Sequence, residues 1–562
     1  MGIIFRSARG CVVVCTMHAL GCYHGSSGDD EVAADTGVGS EGGSVASESG
    51  STGDAPAGDV ASGPTGLRLL TPTQYRNSLI DVLGDVAAPA VGQWRSSIAA
   101  AQGGVAAAGV EDYEEAALAV TSEIFGDASK RMQLTGCTPT ASADDACVRA
   151  VITAIGRRAW RRPLDDEELA RWTGVVTSTA ALVEGDAWLG LQYATAGLLQ
   201  SPNFLYRVEL GTPVSPDDPL LVRLDGYELA SRLSYLVWNT TPDDALLDAS
   251  AAGELDDDAG IEVQIDRLFA SPRATDGMVQ LFVDMLDLDA LLYLQKDAAL
   301  VPAFTPTIGP AMREEMVRVI ADTVIEQRDY RRLLDTTEGH VDAELAALYG
   351  IQGTFDASFA PTPLPAGRGG LLTLAGFLAI NSGEASTSPT IRGLTVRRMV
   401  MCQDIPPPPP DVEADLPEPG DGTPTTKREQ LEQHVSDPTC AACHGFMDPM
   451  GLALEHFDAL GGWRETDQGL AIDPSGDLDG APFADAVALG SLLAEHPQTG
   501  DCVVRNLYRY ATGHIEQPNE QAVIDLTHAA LVDNGHDLTA AVDALARSES
   551  FRHATLAEED AP

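Results

Sequence analysis

From residue 67 onward, apolar positions recur at helical spacing nearly throughout, and alternating β-branched runs of strand type are nearly absent. Tyr75, Leu79 and Leu83 stand at i, i+4 and i+8. They follow Thr71-Pro72-Thr73-Gln74, a capping box with proline at the first helical position, and Gly84 supplies the stop. Asp165 to Glu168 is an acidic version of the box, with Leu164 and Leu169 placed as a hydrophobic staple. Asp225 to Glu228 opens a helix carrying Leu229, Leu233, Leu236 and Val237, and Thr241-Pro242-Asp243-Asp244 opens the next. The pattern predicts an all-α protein built from several helical modules in tandem.

The breaks divide it. Residues 210–219 and the Pro-, Gly- and Ala-rich residues 352–367 read as linkers. Pro406 to Pro410 form a stiff polyproline rod, followed by an acidic, Pro-rich loop to Thr426 that reads as a spacer. The predicted modules are 67–136, 137–209, 220–351, 363–466 and 473–555. Arg157, Arg158, Arg161 and Arg162 are the one basic concentration. They fall where a helix starting near Asp144 would end, so helix capping and ion pairing explain them better than an anion site. No Walker loop, dinucleotide fingerprint, His-Glu-x-x-His, Gly-x-Ser-x-Gly or internal repeat is present.

Charge narrows the function. Against 84 Asp and Glu stand 35 Lys and Arg, a formal charge of −49 that excludes nucleic-acid binding by phosphate neutralisation. The longest apolar stretches, 11–22 and 369–380, fall well short of the ~20 residues of a spanning helix. Residues 1–22 read as an export signal, with Arg6 and Arg9 ahead of a short apolar core. Its end, Ala19-Leu20-Gly21-Cys22, is similar to a bacterial lipobox in which Cys22 takes the lipid. Residues 23–66 hold 11 Gly, 8 Ser and 8 acidic residues without a Lys or Arg, the composition of a disordered stalk. The expected location is the bacterial cell envelope, with membrane contact through the lipid anchor only.

One motif carries chemistry. In Cys440-Ala441-Ala442-Cys443-His444 two thiols are spaced to reach both vinyls of one porphyrin, and the next residue is a His that can ligate iron. The expected cofactor is a single covalent haem c; the alternative is a short Cys440–Cys443 disulfide. A second Cys pair for zinc is not adjacent. His444 is the expected proximal ligand. For the opposite side, Met447 is too tightly tethered. Met450, in a turn at Asp448-Pro449, and His434 rank ahead of His456, with an open iron as the remaining option. Asp473-Pro474-Ser475-Gly476-Asp477-Leu478-Asp479-Gly480 reads as a turn rather than a calcium loop. Tyr508 and Tyr510, on a helix ending at Gly513, read as core.

The chain resembles a family of multidomain proteins of planctomycetes and myxobacteria, catalogued around domain of unknown function 1592 and containing planctomycete-type cytochrome c segments. The resemblance is carried in order by Leu70-Thr-Pro-Thr-Gln-Tyr-Arg-Asn-Ser-Leu, Gly156-Arg-Arg-Ala-Trp-Arg-Arg-Pro-Leu-Asp-Asp-Glu-Glu and Asp225-Gly-Tyr-Glu-Leu-Ala-Ser-Arg-Leu-Ser-Tyr-Leu-Val-Trp. It continues through Arg368-Gly-Gly-Leu-Leu-Thr, Thr387-Ser-Pro-Thr-Ile-Arg-Gly, the segment from Cys440 to Asp458, and Asp501-Cys-Val-Val-Arg-Asn-Leu-Tyr-Arg-Tyr-Ala-Thr-Gly. It implies an exported, haem-bearing protein and no proven reaction. Cys137 and Cys147, ten apart around a short loop, are expected to pair. With the motif cysteines assigned to haem, subtraction together with the resemblance pairs Cys402 with Cys502. The leading function is extracytoplasmic electron transfer with an unidentified redox partner or cell-surface protein; an open iron would make it a haem-dependent peroxidase. The alternative is a non-redox surface scaffold or glycan-binding protein.

Overall fold

The helices begin where their cap residues stand. Thr71 caps the helix Pro72–Leu83, accepting from the Gln74 amide while the Gln74 side chain accepts from the Thr71 amide, both at 3.2 Å. Asp165 and Asp225 close the same reciprocal box over Asp166–Leu182 and Gly226–Val237. Asp145, one residue beyond the expected start, caps Ala146–Trp160. The computed structural model describes residues 62–63, 67–89, 91, 107–143, 145–406, 424–435 and 438–556. These residues are all-α apart from a few short strand pairs. The expected signal segment with Cys22, all but Ser62 and Gly63 of the first part of the stalk up to residue 63, and the proline rod beyond Pro406 lie outside the described residues. No described helix is long and apolar enough to cross a membrane.

Both predicted linkers contain paired strands. Thr212–Ser215 and Asp218–Arg223 form a hairpin, and His553–Thr555 from the far end of the chain adds to its second strand. Asp218–Arg223 thus lies between a local and a distant partner, with Val222 buried. Within 352–367, Ala360–Pro363 pairs with Glu338–Val341.

Two cores form. One gathers apolar residues from Leu69 to Leu205 with Tyr235; the other runs from Val222 to Leu556. Buried charges join the segments around them. The Arg68 guanidinium donates to the carbonyls of Ala511 (2.7 Å) and Tyr510 (3.0 Å), satisfying the C-terminal end of the helix Pro497–Thr512. Glu209, 3% exposed, accepts from Arg232 at 2.7 Å and Arg207 at 3.1 Å. Burial alone would raise the Glu209 carboxyl, but these two guanidiniums outweigh it and bring it to about 2. Removing one partner of such a group leaves a buried charge unpaired, at a cost of about 3–5 kcal/mol.

The arginine run ends its helix as expected. Arg157 and Arg158 pair with Asp248 and Asp244 of the helix Asp244–Ala251, and Arg162 with Glu168. Arg161 instead turns inward and donates to the carbonyls of Asn203 and Tyr206. At the other end of the chain, the Thr555 amide donates to the Gly63 carbonyl at 3.0 Å, and the Ser62 and Thr555 hydroxyls lie 3.0 Å apart. Gly63 presses on His514 so closely that a Cβ there would lie 1.9 Å from Nε2.

Candidate functional site

Cys440, Cys443 and His444 lie on the helix Pro438–Leu452, at i, i+3 and i+4, and so on one face. The turn expected at Asp448-Pro449 does not form; the helix continues through Pro449 to Leu452. A proline there removes the amide that would bond the Gly445 carbonyl. What compensates is tertiary. The helix Pro389–Thr395 lies against this one at two glycines: a Cβ on Gly393 would stand 2.0 Å from the Met447 carbonyl, and one on Gly451 would stand 1.7 Å from the Pro389 carbonyl. Beyond Thr395, Arg397 donates to the Phe446 carbonyl at 3.1 Å, and its guanidinium lies 3.7 Å from the Phe446 ring centroid.

The imidazole of His444 is held from one side. Its Nδ1 donates to Asp448 Oδ2 at 3.0 Å, one helical turn on, and Asp448 Oδ1 accepts from the Thr390 hydroxyl at 2.8 Å. Asp448 is 4% exposed. Burial pushes its carboxyl up, opposed by the Thr390 hydrogen bond and the neighbouring His444. No hydrogen bond to His444 Nε2 occurs among the described residues. Cys440 and Cys443 are half-buried, unbridged thiols.

Of the three candidates expected for a second axial ligand, the structure brings one to the His444 ring. His434, at the end of the helix Lys427–His434, packs edge-on against His444 with ring centroids 4.8 Å apart. Met450 is fully buried in the larger core, because the unbroken helix carries it onto the inner face. His456 Nδ1 donates to the Arg464 carbonyl at 2.8 Å, and its ring stacks on Trp463.

A buried clamp fixes the segment that follows. Arg392, fully buried, donates to the carbonyls of Leu454 (2.8 Å), Phe457 (2.9 Å) and Asp458 (2.7 Å). Glu455 accepts from Arg464 at 2.6 Å and from the Thr387 hydroxyl at 2.9 Å. Burial raises its carboxyl while Arg392 and Arg464 pull it down. Thr387-Ser-Pro-Thr-Ile-Arg-Gly is thus a positioning motif. Thr387 holds Glu455, Ser388 caps a helix, Thr390 holds Asp448, Arg392 gathers three carbonyls and Gly393 admits the site helix.

The remaining sites are structural. Disulfides join Cys137 to Cys147 and Cys402 to Cys502. Residues 476–483 form a hairpin, Gly476–Leu478 with Ala481–Phe483, and Asp479 in its turn pairs with Arg397. Tyr508 and Tyr510 are core residues. Among the described residues, no three His, Cys, Asp or Glu side chains gather as a metal site. The helix thus offers two free thiols one turn apart, the groups that form thioethers, beside an imidazole bonded at Nδ1.

Four families match the chain, each described as a protein of unknown function. DUF1595 matches residues 147–209, DUF1592 residues 224–351, DUF1588 residues 368–467 and DUF1585 residues 479–551. The site helix and its clamp fall in the DUF1588 match. No curated protein and no solved structure matches the chain. Together the four matches, set in tandem over most of the described residues, identify the chain as a multidomain protein of the DUF1592 type.

Proposed function

We propose that the protein is an exported lipoprotein carrying one covalent haem c, attached through Cys440 and Cys443, and that it works in extracytoplasmic electron transfer. The observation that carries this reading is the bond of His444 Nδ1 to Asp448, which leaves Nε2 as the ring nitrogen for a metal, on the same helical face as two unbridged thiols. When bound, the haem supplies a one-electron couple. The chain's part would be to hold the haem through Cys440 and Cys443, to fix the His444 ring through Asp448 as an iron ligand, and to offer His434, whose ring packs against that of His444, as the candidate second ligand. Export and the lipid on Cys22 follow from the sequence signal, and the stalk would hold the folded body off the membrane.

The test is expression with haem-maturation machinery. The purified chain should be red, with one haem per chain and a Soret band that survives denaturation because the attachment is covalent. Colourless protein with a Cys440–Cys443 disulfide sinks the reading and favours a non-redox surface scaffold. His434→Ala should alter the spectrum if His434 is the second ligand; an unchanged spectrum there and in Met450→Ala points to an open iron and peroxidase chemistry.

A further inference from the structure

Asp448 is a different kind of residue from the other carboxylates around the site. It is 4% exposed in a chain of charge −49, where acidic residues belong in water, and no Lys or Arg among the described residues bonds it. Its two oxygens instead take one bond each, from the His444 ring and the Thr390 hydroxyl. Both donors are fixed. His444 stands one turn back on the same helix, and Thr390 comes from a helix locked in place by the contacts at Gly393 and Gly451. Rotating the imidazole would therefore leave a buried carboxylate oxygen without its partner.

We infer that Asp448 is a positioning residue for His444, holding Nε2 outward toward the metal and strengthening the ring as a donor, so that it keeps the reduction potential of the site low. The inference rests on the haem reading above. A ring N–H shared with a carboxylate makes the opposite nitrogen a stronger ligand than one shared with a neutral carbonyl does. A stronger donor favours the more highly charged ferric state over the ferrous one. A merely structural role would be met by asparagine, which has the same shape: its Oδ1 can accept from His444 while its Nδ2 donates to the Thr390 hydroxyl oxygen.

The experiment is a redox titration of haem-loaded full-length protein and three variants. Asp448→Asn should retain one haem per chain and shift the midpoint potential to more positive values. Thr390→Val, which removes the second anchor of Asp448 without changing charge, should shift it in the same direction by less. Glu432→Gln, which removes an exposed carboxylate from the neighbouring helix, should leave it unchanged. A fully loaded Asp448→Asn protein at the wild-type potential overturns the inference while leaving the haem reading intact. If Asp448→Asn does not fold, Thr390→Val at the wild-type potential does the same. A wild-type chain without haem removes the haem reading first, and the inference with it.

Discussion

Two glycines on the site helix have opposite surroundings and test how tightly it is seated. At Gly451 a Cβ would lie 1.7 Å from a backbone carbonyl, so Gly451→Ala must push two helices apart and should destabilise by about 1–3 kcal/mol. At Gly445 nothing lies within 4 Å, and Gly445→Ala should stabilise by ~0.5–1 kcal/mol through helix propensity alone. Urea unfolding of both variants checks the pair; equal effects would mean the helices are not in contact there. A second residue-scale test concerns pH. Glu315 is fully buried, accepts the Tyr349 hydroxyl at 2.6 Å, and is pushed up to about 8 by burial, against the hydrogen bond from Tyr349 and the charge of Arg368. Since the folded value exceeds the ordinary 4.5, the folded state binds the proton more tightly. The contribution is therefore complete below about 4.5, and declines as pH rises toward about 8. Glu315→Gln carries no such proton. Its urea midpoint should gain on that of the wild type between pH 5 and pH 8, and a constant difference would count against the buried acid.

At the scale of elements, the Cys402–Cys502 disulfide ties the end of the clamp segment to the helix Pro497–Thr512 across a separation of 100 residues. Cys402→Ser with Cys502→Ser should cost about 3–5 kcal/mol by loop entropy, read as a lowered urea midpoint that reductant no longer affects. Elements are also where sequence and structure part. Helix starts were legible because a cap is local: Thr71 with Gln74, Asp165 with Glu168 and Asp225 with Glu228 lie three residues apart. The strand Asp218–Arg223 was not, because one of its two neighbours, His553–Thr555, comes from the far end of the chain. The site divides the same way. Cys440, Cys443 and His444 announce themselves by spacing, whereas a proline at 449 reads locally as a turn and is overridden by packing at Gly393 and Gly451. Asp448 stood at i+4 from His444, the spacing of neighbours on a helix. The turn that Pro449 predicts places it outside the helix, so the sequence pattern does not single it out. The approach of His434 depends on how two helices pack, which no local pattern records.

For the whole molecule, the paired Gly63 and Thr555 mean that the folded chain leaves and returns at one point, with His514 beneath it. In topological terms the body is a ring with a clasp. The order of its modules along the gene is then one of several that would describe the same object. Joining residue 556 to residue 62 through a short linker and reopening the chain at the exposed turn Glu184-Gly185 should give a permuted protein with the same helical circular dichroism and a melting temperature within a few degrees of the parent. A permutant that unfolds early would show that the clasp must be closed by the original ends.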